Sequence, residues 1–344
     1  MSKNSVWNLL EDLKKKKGIT EVIINNADFI YIERQGDLIR LNVELEDEDI
    51  YSFCNDVAKM NKQSFGKDHP VLDGTLDDGS RINILDSTYT NGMPAITIRK
   101  YLREISNFDS LEGKFLISQK WISFLRTIVT SKCNIIVSGG TGVGKTTLLN
   151  LLLQEMKHTE RVITIEDTRE LFFNIPNQLN LITANAFSKV KNPLKMRDLL
   201  KNTLRMRPDR IIVGEVRGEE AFDLLQAMNT GHDGSMCSVH ANSPAEALSR
   251  LENLFLFAGF NVPLKAVREQ LVSAIDFIIQ IEKNRNGERV ISRITELSNM
   301  EGDTILLQDI GRKGEFGLEF TGLAPKRMMH LIAEGLPKDF FNEI

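Results

Sequence analysis

Apolar positions recur with two different spacings along the chain, and the pattern changes near residue 118. Before that point, short apolar or alternating runs predict strands, and two stretches with apolar residues three to four positions apart predict helices at 4–17 and 47–63. The strands predicted in this part are Glu21–Asn25, Phe29–Arg34, Leu38–Val43, Val71–Leu76, Arg81–Leu85 and Ala95–Arg99. Asp78-Gly79 and Asn91-Gly92 predict turns between them. This part therefore reads as a small α+β domain.

From residue 118 onward, apolar strands alternate with helical segments, which favours a mostly parallel sheet with helices on both faces. The predicted order is helix 118–131, strand 134–138, a helix after 147, strand 161–165, helix 193–206, strand 210–213, helix 219–229 and strand 236–239. A further helix begins at Ser243, with Pro244 at its first position and Glu246 in a capping box. From residue 277 we predict short strands and a final helical piece.

The length of 344 residues exceeds the size at which one core usually keeps growing, so two domains are expected. We predict an N-terminal domain over 1–105, a linker over 106–117 and a second domain over 118–344. The net charge of −4 and a pI of about 5.9 give no electrostatic support for a nucleic-acid surface. We therefore expect no nucleic-acid partner.

Cysteine usage and hydropathy indicate the cellular compartment. Cys54, Cys133 and Cys237 are isolated in the sequence, which argues against a zinc site or a disulfide framework and suits a reducing cytosol. The first residues have no apolar signal-peptide core, and no run of 18 apolar residues could span a bilayer. Lys14–Lys17 could touch anionic lipid, but the favoured interpretation is the solvated end of the first helix, stopped by Gly18. We expect a cytoplasmic protein.

A phosphate-binding loop is the most informative motif of the chain. Residues 139–146, GGTGVGKT, fit the pattern G-x-x-x-x-G-K-[ST] between an apolar strand and a helix. The glycines let backbone N–H groups point at phosphate oxygens, and the helix adds the positive end of its dipole. We expect Lys145 to reach the β- and γ-phosphates and the Thr146 hydroxyl to bind Mg²⁺. The predicted nucleotide contacts are Gly139, Gly140, Thr141, Gly142, Val143, Gly144, Lys145, Thr146 and Thr147.

Two acidic residues follow predicted strands beyond this loop. Glu166 ends the run TIE, and Glu215 follows VG in an atypical Walker B motif that has Gly214 at the usual aspartate position. Carboxyl ends of parallel strands are where an open α/β sheet binds ligands, so both acids are expected near one nucleotide. We expect Glu215 to act on Mg²⁺ through water and Glu166 to polarise the attacking water, although the two roles could be exchanged.

Two of the five histidines lie in the segment GHDGSMCSVHANSP, residues 231–244. A neutral imidazole at a strand end can sense or donate to a γ-phosphate, and we expect this of His240. For His232 two interpretations stay open, a nucleotide contact or the cap of a helix C-terminus. Arg217, two residues past Glu215, either contacts phosphate across a subunit interface or pairs with an acid.

These motifs occur in the order found in a known superfamily. GGTGVGKT, TIEDTREL, VGEVRG and GHDGSMCSVHANSP resemble the Walker A motif, Asp box, atypical Walker B motif and His box of the secretion ATPases that power type II and type IV secretion and type IV pili. The segments around them, with LDGTLDDGSRIN near the N-terminus and FTGLAPKRMMHLIAEGLPKDFF near the C-terminus, look closest to the CpaF/TadA branch of tight-adherence (Flp-type) pili. One departure is Thr75, where that branch often has a basic residue. The chain has no four-cysteine zinc insertion, which speaks against the type II secretion and type IV pilus extension branches.

The resemblance implies a RecA-like ATPase domain behind a PAS-like N-terminal domain that swings over the nucleotide. It implies a homo-hexamer, and it makes Arg81 and Arg99 of the N-terminal domain candidates for contact with the γ-phosphate. The function it implies is ATP hydrolysis with Mg²⁺, coupled to an inner-membrane platform that assembles a pilus or secretes protein.

Three alternatives remain. One is a conjugation-type secretion ATPase, and the second is a nucleic-acid motor with the same sheet and loop. The third is a structural ring that binds ATP and barely hydrolyses it.

Overall fold

The computed structural model describes residues 5–16, 18–34, 37–90, 92–100, 107–183, 192–259, 262–315 and 317–341. The chain divides into two compact units, residues 1–104 with 184–193 and residues 105–183 with 194–344. Some sequence-based expectations fall partly outside the described residues. They are the two ends of the first predicted helix, Asn91 of a predicted turn and residue 106 of the predicted linker.

The smaller unit is built on a six-stranded antiparallel sheet with the strand order β3-β2-β1-β6-β5-β4. Its strands are β1 (Ile19–Ile24), β2 (Ile30–Arg34), β3 (Asp37–Arg40), β4 (Val71–Thr75), β5 (Arg81–Leu85) and β6 (Ala95–Arg99). Helices α1 (Val6–Lys14) and α2 (Asp47–Met60) contribute apolar side chains to the same core as the sheet. Ser5 caps α1 by accepting a hydrogen bond from the N–H of Asn8. The predicted α+β arrangement of this unit is present.

The larger unit is built on a nine-stranded sheet with the order β15-β14-β13-β12-β7-β11-β10-β8-β9. Its strands are β7 (Ile135–Gly139), β8 (Val162–Glu166), β9 (Gln178–Ile182), β10 (Arg210–Val213), β11 (Met236–His240), β12 (Phe277–Lys283), β13 (Arg289–Glu301), β14 (Thr304–Lys313) and β15 (Leu318–Phe320). The six strands from β12 to β9 in this order run parallel, and β13 to β15 continue the sheet antiparallel. The parallel strands therefore end at one edge, which is where the motifs lie.

Helices cover both faces of this sheet. They are α3 (Leu111–Phe115), α4 (Gln119–Thr130), α5 (Lys145–Leu153), α6 (Met196–Thr203), α7 (Glu220–Asn229), α8 (Pro244–Phe257), α9 (Leu264–Ala274) and α10 (Met328–Ala333). Successive residues of β7 face opposite sides, so Ile135 and Val137 join the core with α4 and α5, while Ile136 joins the core with α6 to α9. The predicted fold class, an α/β sheet rich in parallel strands behind a smaller α+β domain, is confirmed.

Several elements differ from the sequence-based expectation. We predicted a polar linker over 106–117, but Phe108, Leu111 and Phe115 are buried in the core of the larger unit. Strand β9 and helix α9 were not predicted at all. The tail strands were expected to be short, whereas β13 and β14 hold 13 and 10 residues. Their apolar positions are interrupted by charged residues, among them the exposed Arg293 and the buried Glu296, which break the run that a sequence pattern detects.

The cap of α8 also differs in one detail. Ser243 accepts a hydrogen bond from the N–H of Glu246, as expected of an N-cap. The carboxylate of Glu246, however, accepts from the N–H of Asn242 and not from that of Ser243. Both acceptors satisfy N–H groups at the start of the helix.

Within the described ranges, each helix is too short or too polar to cross a lipid bilayer.

Candidate functional site

The loop between β7 and α5 has the geometry of a phosphate cradle. Gly142 and Gly144 adopt left-handed φ angles of 70° and 98°, and α5 begins immediately after Gly144. A Cβ on Gly139 would lie 2.6 Å from Cγ2 of Val143 and 2.9 Å from the carbonyl oxygen of Ile281, so only glycine fits there. The sequence thus curls the backbone tightly at the carboxyl end of β7, where the N–H groups of the first turn of α5 have no helical acceptor.

Lys145 folds back across this loop. Its ammonium donates to the carbonyl oxygens of Gly139, at 3.0 Å, and of Gly140, at 2.8 Å. Burial lowers the pKa of this ammonium, with the positive charges of Arg217 and Arg250 acting in the same direction and Glu215 opposing them. A phosphate would give the ammonium a charged partner in place of neutral carbonyls, which makes a stronger hydrogen bond.

The residues at the tip and the end of the loop differ in burial. Thr146 and Thr147 occupy the first turn of α5 and are half-buried, whereas Thr141 is exposed at the tip of the loop and Val143 is buried beneath it. No group of three or more His, Cys, Asp or Glu side chains suited to a metal occurs among the residues that the structure describes. The Thr146 hydroxyl and the Glu215 carboxylate are oxygen donors of the kind that Mg²⁺ takes, since this ion keeps several waters and binds one or two protein oxygens together with substrate phosphates.

Glu166 is a buried carboxyl at the end of β8, only 3% exposed. Its Oε1 accepts from the backbone N–H groups of Glu170 and Leu171 at 2.9 and 3.0 Å. Its Oε2 has no hydrogen-bond partner among the described residues. Burial raises the pKa of Glu166 to about 7, and the two N–H groups offset only part of that shift. One oxygen is therefore committed to the loop and the other is available to accept a proton near neutral pH.

Glu215 lies after β10, the strand next to β8. Its Oε2 accepts a hydrogen bond from Nη2 of Arg217 at 2.5 Å, and this bond is the main cause of the raised pKa of Arg217. Two interpretations were open for Arg217, a phosphate contact across a subunit interface or pairing with an acid. Within the single chain, Arg217 pairs with the acid Glu215. The Arg217 side chain is 63% exposed, so it stays accessible from outside the chain.

The two histidines lie at opposite ends of β11. His240 ends the strand and is paired in register with Gly139, the first residue of the loop. His232 precedes β11 at the amino edge of the sheet, so the whole strand, about 16 Å at the usual rise per residue, separates it from the loop. We predicted a nucleotide contact as one possibility for His232; within one chain the structure does not bring it to the cradle. Its backbone carbonyl instead accepts from the Ser235 hydroxyl.

Arg81 and Arg99 lie in the smaller unit. They lie directly opposite each other on the neighbouring antiparallel strands β5 and β6, and both are exposed. On its other side Arg99 is paired in register with Glu21 of β1, so a carboxylate lies beside the two cations. Their contact with a nucleotide stays a prediction.

Sequence reasoning missed Arg250. It lies on α8, the helix that starts just after His240, its Nε is buried without a partner among the described residues, and its charge acts on Lys145. The signal was available in the sequence, because residue 250 is seven positions past Ser243 and so returns to the same face of the helix.

Comparison with known proteins gives a consistent family. The family model described as "Type II/IV secretion system protein" matches residues 6–286. The conjugal transfer protein TrbB of Rhizobium radiobacter is 32% identical over 288 residues, which cover 83% of this chain and 84% of TrbB. The type IV secretion system protein VirB11 of Brucella suis is 32% identical over 291 residues, covering 76% of this chain and 81% of VirB11.

Two solved structures share the fold. The pilus retraction motor PilT with bound ADP matches with a TM-score of 0.61 at 20% identity, over 84% of this chain and 81% of PilT. The ATPase DotB of Legionella pneumophila matches with a TM-score of 0.62 at 17% identity, over 97% of this chain and 85% of DotB. At this level of identity the similarity concerns the fold alone.

Proposed function

The chain belongs to the type II/IV secretion system protein family, and from this premise we propose that it is a Mg²⁺-dependent ATPase that drives a secretion or pilus machine. The observation that carries the proposal is the meeting of three groups at the edge where β7, β8 and β10 end. They are the cradle with Lys145, the buried carboxyl of Glu166 and the half-buried carboxyl of Glu215.

The chemistry follows from these groups. Mg²⁺, when bound, neutralises charge on the phosphate oxygens and orients them. The Thr146 hydroxyl would be the direct protein ligand of the metal, and Glu215 would hold one of its waters. Lys145 and the N–H groups of α5 stabilise negative charge that develops on the β- and γ-phosphate oxygens. The free Oε2 of Glu166 accepts the proton of the attacking water, because a general base works best with a pKa near the operating pH. His240 donates to the γ-phosphate.

Coupling to work needs more than one chain. We expect a homo-hexamer in the cytoplasm, bound to platform proteins of the inner membrane. The smaller unit would swing so that Arg81 and Arg99 add positive charge at the γ-phosphate, while Arg217 and Arg250 are available to a neighbouring subunit or to the same nucleotide. Closure on ATP and reopening after product release would then transmit motion to the platform.

Two biological roles compete for this motor. The motif series resembles the CpaF/TadA branch, so assembly of a tight-adherence pilus is the first candidate. The relatives named TrbB and VirB11 favour a conjugation-type or type IV secretion motor as the second candidate. Co-purification of the full chain with its membrane platform separates them, since a pilus platform and a conjugation channel contain different proteins.

The enzymatic proposal is tested by release of phosphate from ATP by the purified full chain, with and without its platform partner. We expect Mg²⁺-dependent turnover that Lys145→Ala abolishes. Stimulation by single-stranded or duplex DNA would favour the nucleic-acid motor instead. Tight ATP binding without turnover under all these conditions would favour the structural ring.

A further inference from the structure

A guanidinium that none of the motifs includes lies against the phosphate cradle. Arg289 begins β13, and a Cβ on Gly144 would lie 3.1 Å from its Cδ and 3.3 Å from its Nε and Nη1. Gly144 directly precedes the first turn of α5. The side chain of Arg289 therefore lies next to Gly144, in the loop whose backbone binds phosphate in sites of this type.

The charge of Arg289 is uncompensated in the part of the chain that the structure describes. The acids nearest to it in sequence are engaged elsewhere, because Glu288 accepts from the amide of Asn284 and Glu282 pairs with Lys313. No hydrogen bond or ion pair of the Arg289 side chain occurs among the described residues. A cation without a partner beside the amino end of a helix is electrostatically unfavourable, since that end carries the positive pole of the dipole. A bound anion would remove this penalty, because it would be attracted both by the guanidinium and by the positive end of the α5 dipole.

The order of the strands indicates which phosphate of a bound nucleotide would lie beside Arg289. Strand β7, which leads into the cradle, lies between β12 on one side and β11, β10 and β8 on the other. Glu166, Glu215 and His240, the groups assigned to the γ-phosphate and the metal, all belong to the β11–β8 side. Arg289 reaches the cradle from the hairpin of β12 and β13, on the other side of β7. A nucleotide with its γ-phosphate among the acids extends its nucleoside end toward the hairpin.

We propose that Arg289 binds the phosphate nearest the nucleoside, so that the C-terminal hairpin completes the cradle and holds ATP and ADP alike. The inference rests on the proposed function, because it assumes a nucleotide in the loop. In this proposal Arg289 contributes to the affinity for nucleotide and takes no part in the chemical step.

The test measures binding of ADP and of a non-hydrolysable ATP analogue to the full chain by isothermal titration calorimetry, with Mg²⁺ present. The variants are Arg289→Gln, Arg289→Lys and the matched control Arg285→Gln, which removes an exposed arginine from the turn of the same hairpin. Melting curves of each variant establish that it is folded. Steady-state ATP hydrolysis separates KM from kcat.

We expect Arg289→Gln to weaken the binding of ADP and of the ATP analogue by a similar factor, about tenfold to a hundredfold, as for the loss of a charged hydrogen bond. KM should rise by that factor with kcat unchanged. Arg289→Lys, which keeps the charge, should retain most of the affinity, and Arg285→Gln should bind as the wild type does.

Three results would overturn the inference while the wild type binds both nucleotides. The first is unchanged nucleotide affinity in Arg289→Gln. The second is a loss of affinity confined to the ATP analogue, which would indicate a γ-phosphate contact. The third is an Arg289→Lys variant that binds nucleotide as weakly as Arg289→Gln does, which would indicate stacking on the base. A folded wild type that binds neither nucleotide would contradict the proposed function and this inference with it.

Discussion

The side chain of Glu166 fills the space that a side chain at position 214 would need. A Cβ on Gly214 would lie 3.0 Å from Cγ and 3.4 Å from Oε1 of Glu166. This contact gives a physical reason for the glycine where a Walker B motif usually has aspartate. The negative charge comes instead from Glu166 at the end of β8 and from Glu215 one residue past Gly214.

We predict that Gly214→Ala lowers ATP turnover about tenfold or more by displacing the Glu166 carboxyl. The added methyl group also costs about 1–3 kcal/mol of unfolding free energy, as overpacking does in well-packed sites. The measurements are steady-state hydrolysis and chemical denaturation. The control is Gly113→Ala in α3, where a Cβ meets open space and helix propensity favours alanine. Unchanged turnover in Gly214→Ala would show that the position of Glu166 does not matter for the reaction.

The raised pKa of Glu166 predicts a pH profile. If its carboxylate accepts a proton from water, kcat should fall about tenfold for each pH unit below about 7, because the protonated form is inactive. Glu166→Gln should lack the activity at every pH. A wild-type kcat that stays flat between about pH 6 and about pH 8 would contradict the role of a base.

The same pKa shift predicts a dependence of stability on pH. Because the pKa of Glu166 in the folded chain, about 7, lies above its ordinary value of 4.5, the folded state binds the proton more tightly than the unfolded state. This stabilisation is fully present below about pH 4.5 and is lost as the pH rises through about 7. Glu166→Gln stays uncharged, so it should exceed the wild type in unfolding free energy by up to about 3 kcal/mol at pH about 8 and match it only below about pH 4. Asp167→Asn, at the exposed neighbouring acid, should show no such gain.

Glu215→Gln should weaken the dependence on metal. We expect the Mg²⁺ concentration for half-maximal turnover to rise about tenfold to a hundredfold, the usual effect of losing a group that holds a water of the metal. The variant also replaces the charged acceptor of the 2.5 Å hydrogen bond from Arg217 with a neutral amide oxygen. Glu269→Gln on the exposed face of α9 serves as control. An unchanged Mg²⁺ requirement in Glu215→Gln would exclude this role for Glu215.

Arg81→Ala and Arg99→Ala should each lower kcat strongly, by up to about 10³–10⁵-fold if the arginine stabilises transition-state charge. Affinity for ADP should change little, because ADP lacks the γ-phosphate. Arg34→Ala, on an exposed arginine of β2, is the matched control in the same unit. Equal kcat in all three variants and the wild type would restrict the two arginines to a structural or surface role.

The fold was predictable where local patterns are strong. The parallel strands β7, β8, β10 and β11 are continuous apolar runs because helices cover both of their faces, and such runs are easily recognised. Strand β9 was missed because QLNLI at the sheet edge is only partly buried. The helix α3 was missed because its two buried residues are separated by Glu112, Gly113 and Lys114, which read as a polar linker.

The site residues that belong to sequence motifs were mostly predictable, and those outside the motifs were not. Motif order predicts that the loop, Glu166, Glu215 and His240 lie at one edge of the sheet. It could not assign His232, because the direction of β11 relative to the loop decides on which edge that histidine falls. It also could not find Arg289, whose contact with Gly144 depends on the pairing of β12 with both β7 and β13.

The most direct measurement is the binding of ATP to the folded full chain in the presence of Mg²⁺, compared between the wild type and Lys145→Ala. The account predicts saturable binding by the wild type, with hydrolysis, and loss of both in the variant while its melting temperature is unchanged. Equal binding and turnover by the two proteins, or no binding by a folded wild type, would contradict the claim that this loop holds the nucleotide.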